Sequence, residues 1–296
     1  MQIYRWPPPA FSAPVSLAIG NFDGVHRGHQ QLLARLNADR AAGYQPLLLS
    51  FFPHPRALIT GRNPGQISGL RDRARWLQHY GLEHWLLISF THKFRQLPPQ
   101  RFIDDYLKPL GVRRLHLGSD FRFGRHGQGD LALLRSQDFC EVCELPPVQW
   151  QGQRISSSAI RAALARSDLA TAAALLGHPF TYTGRVVPGF QRGRQMQVPT
   201  ANLAVPAALA LADGVYVVKM ADYWAVANLG WNPTFNGRQR KLEAHFFAAV
   251  GDLYGKIISL EIKHFLRPER RFPDAAALRA QIVQDIDLAK KYIEEL

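Results

Sequence analysis

What most constrains this chain is a change of pattern part-way along it. From Val15 to about Pro147, short apolar runs alternate with stretches of helical spacing. "VSLAI" leads to a helix expected over about Gly28–Ala41, and "QPLLLSFF" leads on to "RDRARWLQHYG". "HWLLIS" is followed by "PPQRFIDDYLKPLG", and "RRLHLG" by "GDLALLRSQ". Apolar strands separated by helices build a parallel sheet covered on both faces, so the first part reads as an α/β, doubly wound, Rossmann-like fold. After about Ile155, "SSSAIRAALARSDLATAAALLG" predicts two short helices, the second capped by Asp168 and ended by Gly177. Beyond it "YTGRVV", "GVYVVKM", "WAVANL", "KLEAHFFAAV" and "KIISLEIKHFL" follow without helices between them. That is the pattern of an antiparallel β-barrel, which one helix, "AAALRAQIVQDIDLAKKYIEEL", closes. Two domains are expected, 1–178 and 179–296, with no internal repeat or low-complexity tract.

Composition narrows the class. Hydrophobic residues make up 47% and charged residues 20%, as in ordinary globular proteins. "PLLLSFF" and "WLLISF" are too short to cross a bilayer, and "MQIYRWPPPAF" lacks a signal-peptide core, so no membrane and a cytoplasmic location are expected. The net charge of +13 suits a polyanionic partner, either nucleic acid or a nucleotide such as ATP. Its arginines are scattered ("RDRAR", "VRRL", "RPERR") and not interleaved with aromatics on one strand pair, which argues against a nucleic-acid surface. The only cysteines, Cys140 and Cys143 in "DFCEVCEL", have no second ligand pair to complete a zinc site. On a strand, positions three apart face opposite ways, so both read as reduced structural thiols.

The chemistry concentrates in "GNFDGVHRGH", Gly20–His29, where a buried strand turns into a helix. Strand-to-helix turns in α/β proteins bind phosphates. Gly20 and Gly24 permit a tight turn and close approach of backbone to ligand. His29 falls in the first helical turn and His26 three residues earlier, so two imidazoles reach one anion and stabilise charge building on a phosphate. The plainer alternative makes one histidine a cap and the other a surface residue; the whole decapeptide in this context favours function. Ser156, Ser157 and Ser158 ahead of a helix, with Arg161 in it, offer hydroxyls, N–H groups and a guanidinium fork to phosphate, or else an ordinary cap and a solvated arginine.

"GNFDGVHRGH" resembles the (H/T)xGH-type nucleotidyltransferase signature, worded as in the bacterial bifunctional riboflavin kinase/FAD synthetase family. "SFFPHP", "LGSDFRFGRHGQGD" and "RISSSAIRAAL" are similar to that family's further N-terminal motifs, in order and spacing. The resemblance implies adenylyl transfer: the FMN phosphate attacks the α-phosphate of ATP, and pyrophosphate leaves. It implies ATP and phosphate contacts from Gly20, Phe22, Gly24, His26, His29, Ser156, Ser157, Ser158 and Arg161, with His26, His29 and Arg161 catalytic. It implies flavin contacts from Asp120, Phe121, Phe123 and His54, where a Pro-flanked histidine holding a loop is the alternative. The family usually has an acidic residue before "PHP"; here it is Phe52, so no carboxylate serves Mg²⁺ or ribose there.

In the second half "GRQMQVPTANL", "NPTF" and "LEAHFF" resemble the riboflavin kinase barrel. The resemblance implies Thr200 and Asn202 at the Mg²⁺ of ATP, Glu243 as the base for the ribityl 5′-hydroxyl, Gly184 and Arg194 at phosphate, and Asn232 at flavin. Mg²⁺ takes oxygen ligands and a carboxylate supplies general-base help, which fits these residue types. No GxxxxGK[ST] occurs, so other glycine turns must cradle phosphate. Met196, Gln197 and Val198 replace the family's Leu-Gly-Phe, removing a glycine from the loop that closes over nucleotide. The expectation is therefore an enzyme making FMN and then FAD from riboflavin with ATP and Mg²⁺, as a monomer or weak homo-oligomer. The alternatives are an adenylyltransferase with a kinase-impaired barrel, or a basic nucleic-acid-binding protein.

Overall fold

A computed structural model of the chain describes residues 1–187, 200–234 and 237–296. They fall into two compact units, Met1–Pro64 with Arg73–Ser157, and Gly65–Asp72 with Ser158–Leu296.

The first unit carries β1 (Gln2–Arg5), β2 (Val15–Ile19), α1 (Arg27–Ala38), β3 (Gln45–Phe52) and α2 (Pro55–Thr60). After α3 (Leu70–His79, in this unit from its fourth residue on) come β4 (His84–Ser89), α4 (His92–Arg95), α5 (Pro99–Phe102), β5 (Val112–Gly118), α6 (Leu131–Arg135), β6 (Glu141–Leu145) and a small hairpin, β7 (Gln149–Trp150) with β8 (Gln153–Arg154). The six-stranded sheet runs β1-β4-β3-β2-β5-β6, all parallel, as expected of a doubly wound fold. β2 is buried along its whole length, which is why it reads as a short apolar run broken only by Ser16, whose hydroxyl is bonded to Asp39. The chain winds from β2 outward through β3 and β4, then crosses back to β5 on the other side of β2. Ligands in such sheets bind at this reversal, outside the carboxyl ends of the two strands. β1 was not foreseen: it is a four-residue edge strand paired with β4.

α1 is shorter than the spacing suggested. Its C-cap is Asp39, whose carboxylate accepts from Ser16 Oγ, Arg114 Nη1 and His116 Nε2, each at 2.6 Å. A single tight turn, Asp39–Ala42, then ends at Gly43 in the left-handed region. The end of α1 is thereby fixed to β2 and β5, the strands that flank the reversal. Cys140 lies one residue before β6 and Cys143 on it; both are free thiols, with Cys140 pushed up to about 11 by burial. Among the described residues no group of three His, Cys, Asp or Glu is placed to hold a metal, and no helix is long and apolar enough to cross a membrane.

The second unit holds α7 (Ser157–Ala165, from its second residue on) and α8 (Leu169–Leu176), then β9 (Thr181–Val187), β10 (Thr200–Ala204), β11 (Gly214–Met220), β12 (Tyr223–Thr234), β13 (Gly237–Phe246), β14 (Ile257–Arg267) and α9 (Ala275–Glu294). Asp168 caps α8 by accepting the Thr171 N–H at 3.0 Å, and Gly177 ends it at φ 76°, both as predicted. The strands close into an antiparallel barrel in the order β10-β13-β12-β11-β14-β9. Register sets its two faces: Ala225, Ala227 and Leu229 are the partners of Phe246, Ala244 and Leu242, all buried inside the barrel. Val215, Val217 and Val226 face outward and bury against Ala289 of α9. The segment Gly65–Asp72 belongs to this unit: Gln66 exchanges backbone hydrogen bonds with Ala208 and Ala210 at 2.6 and 2.9 Å, and Asp72 accepts the Thr183 N–H at 3.0 Å.

Candidate active sites

In the first unit, the loop between β2 and α1 is bent by three residues in the left-handed region: Phe22 at φ 52°, Gly24 at 84° and Val25 at 43°. Non-glycine residues there store strain, which is found where a loop must hold a functional shape. His26 is the N-cap of α1, its Nδ1 facing the His29 N–H at 3.4 Å. With Nδ1 accepting that N–H, a proton is left on Nε2, which can donate to an anion. The His29 ring is stacked between His26 and Phe22, with centroids 3.6 and 4.4 Å away. Gly28 makes this stack possible, because a Cβ on it would press to 3.3 Å against the His26 ring. Capping and ligand binding are thus compatible roles for His26.

These rings border a cavity of about 240 Å³. Gly20 and Phe22 line it from the end of β2; Ser119, Asp120 and Phe121 from the end of β5; Ser156 and Ser157 from the start of α7. The first, third and fourth motifs therefore converge at the reversal of strand order. Ser157 Oγ donates to the Asp23 carbonyl at 3.3 Å, tying the fourth motif to the first. Ser158 is exposed, and Arg161 donates its Nε–H to the Gly65 carbonyl at 2.6 Å within the second unit. His54 caps α2 by accepting the Arg56 N–H at 3.2 Å, and its Nε2 lies 3.2 Å from Asn21. Phe52 is 46% exposed at the end of β3.

Two cations here were given no role by the motifs: Arg154 opens "RISSSAIRAAL" without being singled out, and Arg73 lies outside every motif. Arg154, on the β7–β8 hairpin, lines the cavity and pairs with Asp120 at 2.6 Å. Arg73 lies 3.6 Å from buried Asp23. Only the turn residues Gln151 and Gly152, both with positive φ, mark that hairpin in sequence. A second cavity of about 400 Å³ is walled by Phe90, Phe94 and Phe102, with Arg95 and His126 on its border. Phe123 packs on Phe102 at 5.6 Å and on Phe121 at 5.7 Å, so the Asp120–Phe123 loop reaches towards both cavities.

Burial holds His29 well below the usual imidazole range, helped by His26 and Arg73. An unfolded histidine takes up its proton near pH 6.5. Between that value and the depressed folded one the unfolded chain binds more protons, so stability falls as pH falls. The urea midpoint is expected to drop between about pH 7.5 and 5.5, and to drop less in His29→Gln, the difference reaching at most about 1.4 kcal/mol per pH unit. His84 and His245 are also lowered by burial, so it is the difference between the two proteins that reports on His29. Parallel drops in both would contradict this environment for His29.

In the second unit, strand register gathers the other candidates. Asn202 of β10 is the partner of Glu243 of β13, and Thr200 of His245. All four alternate with the core residues Ala201, Leu203, Leu242 and Ala244, so they share the barrel's outer face. Glu243 is in turn the partner of Asn228 on β12, a polar neighbour that no motif announced. Gly184 is buried on β9; a Cβ there would meet Tyr182 at 3.0 Å and Leu203 at 3.1 Å, so its missing side chain serves packing. Arg194 and Met196–Val198 lie outside the described residues, as does the side chain of Asn232 on β12.

Comparison with known proteins adds two family matches. A model described as FAD synthetase matches residues 9–159, and one described as riboflavin kinase matches residues 176–293. The bifunctional riboflavin kinase/FMN adenylyltransferase of Escherichia coli (strain K12) is 38% identical, covering 93% of this chain and 92% of that protein. The protein of the same name from Haemophilus influenzae is 36% identical, covering 94% of each. A crystal structure from Streptococcus pneumoniae, described as a macrolide-efflux protein, shares the architecture with a TM-score of 0.82 at 29% identity, covering 97% of this chain and 98% of that one.

Proposed function

The chain belongs to the bifunctional riboflavin kinase/FMN adenylyltransferase family, and on that premise we propose how its residues divide the two reactions. It phosphorylates riboflavin with one ATP to give FMN, and adenylylates FMN with a second ATP to give FAD and pyrophosphate. We assign the adenylyltransferase to 1–178 and the kinase to 179–296.

The observation that carries the first assignment is the stacked His26–His29 pair on the cavity where three motifs meet. An FMN phosphate oxygen attacks the α-phosphorus of ATP while the bond to the pyrophosphate oxygen breaks. His26 and His29 donate N–H groups to the phosphate oxygens as charge builds, aided by Gly20, Phe22, Gly24 and the N-terminal end of α1. Ser156 and Ser157 hold the leaving pyrophosphate. The flavin ring is assigned to the aromatic cavity beside Phe121 and Phe123, a planar apolar group against Phe90, Phe94 and Phe102; Asp120 and His54 border its phosphate end.

In the kinase, Glu243 takes the proton of the ribityl 5′-hydroxyl as that oxygen attacks the γ-phosphorus, and ADP leaves. Thr200 and Asn202 supply neutral oxygen donors, which fits Mg²⁺, a hard cation that keeps water and phosphate oxygens as its other ligands. When bound, that ion neutralises charge on the transferring phosphate. Arg194 and Asn232 complete the assignment at phosphate and flavin, and Gly184, which faces the packed interior, is left to packing. Small molecules are taken to be the partners rather than nucleic acid, with the chain a monomer or weak homo-oligomer in the cytoplasm.

The test is a flavin product assay with ATP and Mg²⁺. FAD is expected from riboflavin and from FMN. FAD from FMN with no product from riboflavin would favour a kinase-impaired barrel, with Met196–Val198 as its cause. No conversion of either would overturn the assignment.

A further inference from the structure

One carboxylate on the barrel's outer face has no part in the reactions as assigned. Glu269 follows β14 in the segment Pro268–Phe272 and folds back over β12. Its carboxylate occupies the space above Gly230, where a Cβ would overlap Oε1 and come within 2.6 Å of Cδ. It is also hydrogen-bonded to the side chain of Asn228. Asn228 is the register partner of Glu243, and Glu243 of Asn202. Asn202, Glu243, Asn228 and Glu269 therefore form one row across β10, β13 and β12. Directly opposed side chains on neighbouring strands start about 5 Å apart, so one amide separates the two carboxylates.

The backbone that carries Glu269 is pinned on both sides. Arg267 makes a two-point ion pair with Asp285 of α9 at 2.8 and 2.7 Å, and Asp285 is 2% exposed. Gln281 donates to Asp285 at 2.8 Å and accepts from Arg270. Both guanidinium groups lie over the Phe272 ring, at 5.8 and 5.7 Å. Such bidentate pairs fix geometry as well as adding energy. Helix α9 thus sets where Glu269 stands, and Gly230 leaves the room.

We propose that Glu269 is a riboflavin-binding residue of the kinase site, its carboxylate accepting hydrogen bonds from ribityl hydroxyls, and that Asp285 is its positioning residue, acting through Arg267. A carboxylate has about four lone-pair sites, so the bond to Asn228 leaves acceptor capacity for a polyol. Glu243, one amide away, acts on the terminal hydroxyl of the same chain, so the ribityl group lies along the row. The inference rests on placing the kinase site on this face.

The experiment uses the full chain with Glu269→Gln, Asp285→Asn and, as a control on the site itself, Glu243→Gln. In Glu269→Gln the KM for riboflavin is expected to rise about tenfold, with kcat and the KM for ATP within about twofold, the cost of weakening a charge-assisted hydrogen bond. Inhibition of riboflavin phosphorylation by lumiflavin, which lacks the ribityl chain, is expected to stay unchanged. Asp285→Asn should raise the same KM by a smaller factor. An unchanged riboflavin KM in Glu269→Gln would overturn the inference, as would an equal loss of lumiflavin inhibition. If Glu243→Gln phosphorylates riboflavin at the wild-type rate, the placement of the kinase site fails instead. If Glu243→Gln is inactive and Glu269→Gln behaves as wild type, only the role of Glu269 fails.

Discussion

His29→Ala is expected to lower FAD formation from FMN by about 10²–10³-fold while leaving FMN formation from riboflavin unchanged, the loss seen when one preorganised donor to a developing oxyanion is removed. Three features single out this residue. Its ring lies 3.6 Å from that of His26, so the two imidazoles present a joint surface to the cavity. Its Nδ1 is buried with no hydrogen-bond partner among the described residues, so the ring has hydrogen-bonding capacity that the protein does not use. Burial also keeps the ring neutral near pH 7, so it acts through an N–H rather than a full charge. Loss should fall mainly on kcat, because the interaction strengthens as charge moves onto phosphate. His29→Asn, which restores a donor in a smaller side chain, separates lost hydrogen bonding from collapse of the Phe22–His29–His26 stack. Recovery of part of the rate in His29→Asn is expected.

Glu243→Gln is expected to do the converse: FMN formation from riboflavin falls by about 10²–10⁴-fold, the range for removing a positioned general base. FAD formation from supplied FMN stays at the wild-type rate. Gln keeps the shape and the strand register with Asn202 and Asn228, so the barrel is unperturbed and the effect isolates the proton acceptor. A steady-state rate measurement with each flavin substrate checks both variants. A fall of less than tenfold in Glu243→Gln would place the base elsewhere.

The change of pattern near residue 155 was legible because each half obeys one period. β2 is buried on both faces and so appears as a run that is apolar at four of its five positions. Barrel strands bury one face against an enclosed core, and Asp168 and Gly177 mark α8 by local chemistry alone. β1 escaped because four residues at a sheet edge carry too little period to register. The allegiance of Gly65–Asp72 escaped for another reason: its partners, Ala208, Ala210 and Thr183, lie more than a hundred residues along the chain. Motif residues at the sites were legible as local strings. Asn228, Glu269 and Arg73 were not, because each is a lone polar residue whose meaning comes from strand register or from a distant segment, and Arg154, though it opens a motif string, shows its pairing with Asp120 only in the folded hairpin.

The central claim is that one chain holds two separate phosphate chemistries, one at the carboxyl end of a parallel sheet and one on the outer face of a barrel. The most direct measurement crosses the two substitutions with the two substrates: wild type, His29→Ala and Glu243→Gln, each given riboflavin or FMN with ATP and Mg²⁺, and the flavins separated by chromatography. The account predicts FMN that accumulates without FAD in His29→Ala, and FAD from FMN but none from riboflavin in Glu243→Gln. Loss of both reactions in either variant, with that variant still folded, would contradict it.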